Sequence, residues 1–328
     1  MRRRQFIAGL GGAAAWPLTA RAQEAGRRRR IGVLMGVSEN EPEGQARIEG
    51  FRQGLRDLGW TESNLQIDYR WTGGELDRLQ AYAAELIGLA PDLIVANTTP
   101  VLSALSRATR SIPIVFVIVN DPVGLGYITS LARPGGNITG FTYLEISLIS
   151  KWLELIKGIA PSTERAGLMF NPELTQYYYD FLRSSQPFQK SVAIELSAAP
   201  VRSVAEIEST IAAVARNPHG SVIVAADPFI VSHLRLIAST SVQANLPTVS
   251  IYRQYALAGG LLSYGPDTAD IFRRSASYVD RILKGTKPAE LPAQAPTIYN
   301  FVINRQTAKI IGISIPETLL ATADEVIE

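Results

Sequence analysis

The sequence of 328 residues contains no cysteine and only two histidines. Without cysteine the chain can form no disulfide bond, thiolate metal site, cysteine nucleophile or cysteine-linked lipid anchor. His219 and His233 stand apart from each other and from acidic partners in the sequence. We therefore place both on the surface and expect no metal site and no cofactor.

The motifs of common enzymes are also missing. Where a dinucleotide-binding fold would carry G-x-G-x-x-G after its first strand, residues 36–44 read GVSENEPEG,. The sequence has no G-x-S-x-G elbow, no Walker A loop and no H-E-x-x-H,. We predict a protein that is not an enzyme and has no catalytic residues, with an unrecognised hydrolase as the alternative.

No apolar run reaches the roughly 20 residues that a membrane-spanning helix requires. The N-terminus instead has the features of an export signal, because Arg2 to Arg4 precede a Gly/Ala-rich stretch and Ala20-Arg21-Ala22 forms an A-x-A cleavage site,. The run RRQFI resembles a twin-arginine signal, although Arg2 stands where Ser or Thr is usual, so the general secretory route stays open. We predict cleavage after Ala22 and a soluble, monomeric, periplasmic protein without a lipid anchor.

Loss of residues 1–22 would remove four arginines and change the net charge from +2 to −2, since 28 basic residues would face 30 acidic ones. The remaining dense basic run, Arg27 to Arg30, lies at the start of the first predicted strand rather than along a helix face. We therefore predict no nucleic-acid partner. A transcriptional regulator would also need a DNA-binding motif before the first strand, and residues 1–30 are too short for one.

Short apolar runs alternate with longer amphipathic ones from residue 31, which is typical of parallel strands joined by helices. The first series predicts strands at Ile31–Val37, Leu65–Tyr69, Leu93–Asn97 and Ile114–Val119, with helices near Glu43–Leu58, Leu76–Ala90 and Thr99–Thr109. After a turn-rich segment from Arg133 to Asn137, a helix at Ile146–Ile159 opens a second series. Its predicted strands are Ala166–Phe170, Val192–Leu196, Val222–Ala226 and Thr248–Ile251, and its helices are Gln176–Lys190, Ser203–Arg216 and Phe229–Ala244. The pattern predicts an α/β fold with two doubly wound, Rossmann-like parallel-sheet lobes, to which the segments after residue 260 add elements.

Small polar residues follow several predicted strands, often with proline next to them, as at Asn97-Thr98-Thr99-Pro100, Asn120-Asp121-Pro122 and Ala226-Asp227-Pro228. Each is also a good helix N-cap, and that simpler interpretation holds for any one of them taken singly. Their repetition at matching places in both halves favours one ligand cleft, because ligands of open α/β sheets bind at the carboxyl ends of the strands. In Tyr177-Tyr178-Tyr179 at least one ring should lie on the surface or in that cleft.

Four segments carry a resemblance to a known family: residues 120–123 (NDPV), 131–140 (LARPGGNITG), 264–267 (YGPD) and 315–325 (IPETLLATADE). They resemble the ABC transporter substrate-binding proteins of the tryptophan/tyrosine-binding type. The likeness runs in order through nearly all of the chain after the signal.

The resemblance implies the type I periplasmic binding fold, with three chain crossings between lobes that close around a solute. Lobe one would take residues 29–141 and about 253–288, and lobe two residues 142–252 and about 289–328. Carried over position by position, the implied ligand-binding residues are Ser38, Thr98, Thr99, Asp121, Asn171, Tyr177, Asp227 and Tyr252.

The function that follows is the periplasmic solute-binding component of an ABC importer, with an ABC permease and its ATPase as partners. We expect an amino-acid-like or aromatic carboxylate ligand, and expect Asp121 or Asp227 to meet its ammonium group. Helix N-termini near Thr98 and Thr99 would hold the carboxylate, and Tyr177 or Tyr252 would cover the ring. A ligand-sensing protein that presents its closed form to a receptor kinase has the same sequence features and stays an alternative.

Overall fold

A computed structural model describes residues 28–143 and 147–328 of the chain. The predicted export signal, residues 1–22, lies outside the described residues. In the described part no helix is both long and apolar enough to cross a membrane.

The first lobe is built on a five-stranded parallel sheet in the order β2-β1-β3-β4-β5. Its strands are β1 (Arg29–Met35), β2 (Leu65–Trp71), β3 (Leu93–Asn97), β4 (Ile114–Val119) and β5 (Ile138–Thr142). The helices between them are α1 (Pro42–Asp57), α2 (Leu76–Gly88) and α3 (Thr99–Ala108). β3 and β4 are buried along their whole length, which explains why their sequences are continuously apolar rather than alternating,.

The second lobe is built on a seven-stranded sheet in the order β12-β11-β10-β9-β8-β6-β7. Its strands are β6 (Arg165–Phe170), β7 (Glu195–Pro200), β8 (Gly220–Val224), β9 (Thr248–Ser250), β10 (Leu262–Pro266), β11 (Tyr299–Asn304) and β12 (Glu325–Ile327). The pairing is parallel except between β10 and β11. Its helices are α4 (Ser147–Ile159), α5 (Tyr178–Ser184), α6 (Gln186–Val192), α7 (Val204–Ala215), α8 (Pro228–Val231), α9 (Leu234–Gln243), α10 (Arg253–Leu257), α12 (Arg305–Ile310) and α13 (Glu317–Leu320). The remaining helix, α11 (Thr268–Leu283), follows β10 in the chain.

The chain passes between the two sheets three times. The first passage follows β5, the second joins β10 to α11, and the third leads from the segment around Gln294 to β11. α11 returns to lobe one and packs on α1, where a Cβ at Gly50 would lie 2.5 Å from the Ala269 carbonyl oxygen. Glycine therefore sets how closely these two helices approach.

The strand pairing differs from the predicted lobe bounds at two segments. β10, which lies in the range 253–288 predicted for lobe one, pairs with β9 in the second sheet. Residues just after 288 were predicted for lobe two, yet the Gln294 backbone pairs beside β5 and Ala293 N donates to Leu131 O. The crossings therefore fall close to the ends of β10 and β11.

Several predicted elements need correction. The predicted helix Gln176–Lys190 is two helices, because Pro187 at the start of α6 interrupts the first,. The predicted helix Phe229–Ala244 likewise divides into α8 and α9 around Ser232 and His233. The strand predicted at Val192–Leu196 begins later, after Ala193 adopts a left-handed φ of 53°. β5 was not predicted as a strand, because its sequence ITGFT carries a glycine in its centre.

Candidate functional site

A small cavity lies between the lobes, at the carboxyl ends of the strands. Its volume is about 10 Å³, room for roughly one water molecule,. Five of the predicted ligand-binding residues line it, namely Thr98, Thr99, Tyr177, Asp227 and Tyr252. The structure thus gathers side chains that are up to 154 positions apart in the chain around one point between the lobes.

Three predicted residues do not line this cavity. Ser38 and Asp121 are exposed. Asp121 occupies a turn with φ at 41°, and its Oδ1 accepts a hydrogen bond of 2.9 Å from Gly124 N. Asn171 is buried in a second turn, where its Oδ1 accepts from Glu173 N. In both turns the polar side chain accepts a hydrogen bond from the backbone of its own turn.

Asp227 is buried, with 1% of its surface exposed, and its carboxylate accepts four hydrogen bonds. Oδ1 accepts from the backbone N–H groups of Phe229 (2.7 Å) and Ile230 (3.1 Å) at the start of α8. Oδ2 accepts from Asn171 N (3.0 Å) and Thr175 Oγ1 (2.7 Å). Burial raises the pKa of the Asp227 carboxyl, and these donors oppose the rise,. The two oxygens have about four lone-pair sites, so the protein itself uses the acceptor capacity of this carboxylate.

Thr98 begins α3 in a strained conformation, with φ at 83° and ψ at 157°. Residues other than glycine rarely adopt this region, and such strain is concentrated at functional sites. Ile118 also has a positive φ, 62°, at the irregularity in the pairing of β4 with β5. A Cβ at Gly36 would lie 2.6 Å from Thr98 Oγ1. The backbone of lobe one is therefore shaped to place the Thr98 hydroxyl at the cavity.

A hydrogen bond joins the lobes directly at the cavity. Asn120 Nδ2 in lobe one donates to the Tyr177 hydroxyl in lobe two over 2.7 Å, and Asn120 N donates to Thr99 Oγ1 over 3.1 Å. Thr99 and Tyr177 also line a wider groove of about 810 Å³ at the mouth of the cleft. Tyr177 thus stands between the inner cavity and the outer groove.

Aromatic rings and an arginine also line the cavity. The rings of Tyr143 and Tyr252 stack with centroids 6.4 Å apart and an interplanar angle of 25°. The Arg47 guanidinium carbon, from α1 in lobe one, lies 5.8 Å from the centroid of the Tyr252 ring. This distance permits a cation–π interaction across the lobes. Burial raises the pKa values of Tyr143, Tyr177 and Tyr252 above that of free tyrosine, so the three hydroxyls are uncharged at neutral pH,.

Arg47 is almost completely buried, with 1% of its surface exposed. Its Nη2 lies 3.4 Å from Oε1 of Glu43, one turn earlier on α1, and that oxygen also accepts from the Thr268 hydroxyl. Four side-chain atoms in this region are buried without a hydrogen-bond partner: Arg47 Nε, Glu43 Oε2, Thr98 Oγ1 and Tyr143 Oη. A buried polar group without a partner costs about 1–3 kcal/mol, and a bound ligand or an ordered water would supply the missing partner.

Arg47, Asn120 and Tyr143 line the cavity but were not predicted from the sequence. Asn120 directly precedes the predicted Asp121, and the left-handed backbone there turns the amide rather than the carboxylate toward the cavity lining. Arg47 had a recognisable signal, because it falls on the buried stripe of α1 with Ile48 and Phe51. A charged residue on an apolar helix face requires a partner, and that pattern could have identified it.

The site has no features of a metal centre. Among residues 28–143 and 147–328, no three histidine, aspartate or glutamate side chains are grouped so that they could hold a metal ion. A larger surface groove of about 720 Å³, lined by Arg52, Trp60 and Tyr69 among others, lies on lobe one away from the strand ends of the cleft. The interlobe cavity is therefore the better candidate, since it combines convergent polar groups with aromatic walls.

Comparison of the sequence with known proteins gives one consistent result. A family described as ABC transporter substrate binding protein matches residues 30–327. A Clostridioides difficile protein named tyrosine-binding protein is 25% identical over 267 residues, which cover 81% of this chain and 76% of that protein. The predicted resemblance to substrate-binding proteins of the tryptophan/tyrosine type is confirmed.

Solved structures agree with this result. An ABC domain from Streptococcus pneumoniae in complex with L-Trp is 26% identical, with a TM-score of 0.84, and the match covers 92% of this chain and all of that one. A conserved domain protein from Vibrio cholerae is 30% identical over the same shares, with a TM-score of 0.85. The predicted fold class, two parallel-sheet lobes of the type I periplasmic binding kind, is confirmed.

Proposed function

Because the chain belongs to the family of ABC transporter substrate-binding proteins, we propose that it is the solute-binding component of an ABC importer. In this proposal the protein is exported to the periplasm and works there as a soluble monomer. It captures a small amino-acid-like or aromatic carboxylate between its lobes and delivers it to a permease with its ATPase. Its role is binding and not catalysis, as in the family.

The observation that carries the proposal is the set of buried polar atoms without partners beside the interlobe cavity. Arg47, Thr98 and Tyr143 each line the cavity and each leave one donor or acceptor unused. They come from α1, the start of α3 and the passage after β5, so they are brought together only by the fold. A ligand between the lobes would supply the missing hydrogen bonds.

The proposed ligand class follows from the chemistry of the lining. Tyr177 and Tyr252 offer aromatic faces from lobe two, and each good aromatic contact contributes roughly 1 kcal/mol beyond the area it buries,. Arg47 offers positive charge from lobe one. The names of two relatives, one a tyrosine-binding protein and one bound to L-Trp, support an aromatic acid.

Capture would require a hinge motion. An aromatic acid is many times larger than one water molecule, so the cavity of about 10 Å³ must widen to admit it. We expect the lobes to separate at the three crossings and to close again over the ligand, with the Asn120–Tyr177 hydrogen bond formed in the closed state,.

A thermal-shift screen of the purified mature protein tests the proposal, with amino acids, aromatic acids, sugars and polyamines as probes. The expected result is stabilisation by aromatic carboxylates, followed by recovery of the bound compound unchanged after long incubation, as judged by mass spectrometry. Stabilisation by sugars alone would contradict the ligand class. Conversion of the bound compound would contradict the binding role and favour a hydrolase.

Export is tested separately by N-terminal sequencing of the protein from a periplasmic fraction. The proposal expects the sequence to begin at Gln23,. A first residue of Met1, or partition with membranes after a salt wash, would contradict a free periplasmic protein.

A further inference from the structure

We infer that Arg47 binds the ligand carboxylate, that the hydroxyls of Thr98 and Tyr143 complete this subsite, and that the cleft does not require a ligand ammonium group. The inference rests on the proposed function, since it specifies the chemistry of the same cleft. It selects anionic acids with an apolar body over amines, and it replaces the predicted contact of Asp121 or Asp227 with an ammonium group by a contact of Arg47 with the carboxylate.

Arg47 has hydrogen-bonding capacity that no described residue uses. The side chain is buried and lines the cavity, its Nε–H has no partner, and its ion pair with Glu43 is long at 3.4 Å. A guanidinium carries five N–H donors in a fixed planar fork that matches a carboxylate. Since residues 28–143 and 147–328 supply no acceptor for Nε, an acceptor bound in the cavity would satisfy it.

Arg47 is positioned from within lobe one by its ion pair with Glu43. When the lobes are closed, the Tyr252 ring of lobe two lies beneath the guanidinium, and Tyr143 stacks on the Tyr252 ring. Glu43 is held in turn by the Thr268 hydroxyl. A pre-positioned arginine loses little conformational entropy on binding, which favours tight and selective capture of an anion.

The two hydroxyls beside Arg47 suit the same group. Thr98 Oγ1 and Tyr143 Oη are buried without partners, and each can donate to an oxygen,. A carboxylate has two oxygens with about four acceptor sites, enough for Nε–H and both hydroxyls. The strained backbone of Thr98 is explained as well, because a strained residue persists where its side chain has a binding role,.

Among the described residues that line the cavity, no carboxylate oxygen is left free to accept from an ammonium group. The four hydrogen bonds to Asp227 leave its carboxylate without a spare acceptor, and Asp121 is exposed outside the cavity lining. Glu43 Oε2 is the one unpartnered carboxylate oxygen nearby, but Glu43 does not line the cavity and its charge is already opposed by Arg47.

Isothermal titration calorimetry with three probes tests the inference: L-tryptophan, indole-3-propionate, which lacks the ammonium, and tryptamine, which lacks the carboxylate. We expect the two acids to bind with dissociation constants within about fivefold of each other, or roughly 1 kcal/mol. Tryptamine should bind at least about a hundredfold more weakly, since it leaves Arg47 unpaired.

Variants of two of the three arginines on α1 make the test specific. Arg47→Gln should weaken both acids at least about thirtyfold. Arg52→Gln is the matched control, because Arg52 also lies over a tyrosine ring, that of Tyr69 at 4.9 Å, but is exposed and away from the cleft. It should leave all three dissociation constants unchanged.

Three outcomes would overturn the inference. If the acids bind and Arg47→Gln changes their affinity by less than about threefold, the inference is wrong while the proposed function stands. If the unsubstituted protein binds tryptophan but not indole-3-propionate, the ligand is recognised through its ammonium group, and the inference is wrong. Glu43→Gln would then test Glu43 as the ammonium partner. If neither acid binds, the proposed ligand class and the inference fail together.

A folding defect in Arg47→Gln does not leave the question open. Arg47→Lys keeps the charge and stem but loses the fork, and Thr98→Val removes one hydroxyl from a different element. Each should weaken the acids by about tenfold, or 1.4 kcal/mol. Unchanged affinity in both variants, with native circular dichroism, would overturn the inference.

Discussion

The two faces of the cleft satisfy their polar groups in opposite ways. On lobe two the Asp227 carboxylate accepts four hydrogen bonds from its own lobe. On lobe one the buried Arg47 Nε and Thr98 Oγ1 have no hydrogen-bond partner among the described residues. A buried group that is fully paired stabilises the fold, whereas one that is left unpaired costs stability unless a ligand pairs it. The comparison assigns a structural role to the acidic residue and a recognition role to the basic one.

The largest expected effect comes from the tyrosines buried in lobe two. Burial raises the native pKa values of Tyr177, Tyr178 and Tyr252, and it raises that of Tyr255 to about 12, whereas unfolded tyrosine ionises near pH 10,. The contribution of these uncharged rings to the free energy of unfolding is fully present below pH 10. It is lost as the pH rises from 10 toward the pKa values of the tyrosines in the folded protein. At about pH 11 the four should reduce the free energy of unfolding by about 5 kcal/mol.

Chemical denaturation at rising pH, with limited proteolysis to locate the damage, measures this effect. Lobe two should open first, since it holds these four rings. Tyr255→Phe is the control, because it removes one ionisable group and should reduce the pH dependence by one proton. If both lobes unfold to the same extent as the pH rises, the buried tyrosines do not make lobe two the more sensitive lobe.

Asp227→Asn should destabilise the fold more than it affects binding. An amide keeps one acceptor oxygen but places an NH₂ group against two of the four donors, so the free energy of unfolding should fall by about 3 kcal/mol. The dissociation constant for an aromatic acid should change by less than about threefold. Asp121→Asn, at an exposed position, should change neither quantity by a measurable amount. Strong loss of binding without loss of stability would return the ligand contact to lobe two.

This contrast also shows what the sequence could and could not reveal. The apolar runs of β3 and β4 and the amphipathic period of α1 predict the lobes well, because those patterns depend only on neighbours in the chain,. The position of β5 was missed, since its glycine weakens the strand signal and pairing with β4 decides it,.

The candidate site was predicted in part for the same reason. Thr98 and Thr99 follow β3 directly, so the rule about strand ends locates them. The choice between Asn120 and Asp121 depends on a backbone irregularity in β4, and the role of Arg47 depends on which helix face meets the other lobe. Neither can be read from local sequence alone, because both are set by tertiary contacts.

Removal of the Tyr252 ring tests the support beneath Arg47. Tyr252→Leu should weaken binding of an aromatic acid by about tenfold, because it removes the cation–π contact and the stacking on Tyr143,. Tyr252→Phe keeps the ring and should cost much less. Titration calorimetry of both variants with the same aromatic acid measures this difference. If their dissociation constants are equal, the ring does not position the arginine.

The smallest expected effect concerns the hydrogen bond between the lobes. Tyr177→Phe removes the hydroxyl that accepts from Asn120 and should weaken ligand binding by about threefold, or roughly 0.7 kcal/mol,. Tyr179→Phe, at a partly exposed ring two positions later, is the matched control. Small-angle scattering of the ligand-bound protein should show a slightly larger radius of gyration for Tyr177→Phe alone. Identical profiles for the two variants would show that this bond does not hold the closed form.

The most direct test of the central claim is a crystal structure of the protein with the aromatic acid that binds best. We expect one carboxylate oxygen at about 3 Å from Arg47 Nε, with the Thr98 hydroxyl donating to the same carboxylate and the four hydrogen bonds of Asp227 intact. A ligand whose ammonium group displaces one of those four bonds, with its carboxylate out of reach of Arg47, would contradict it.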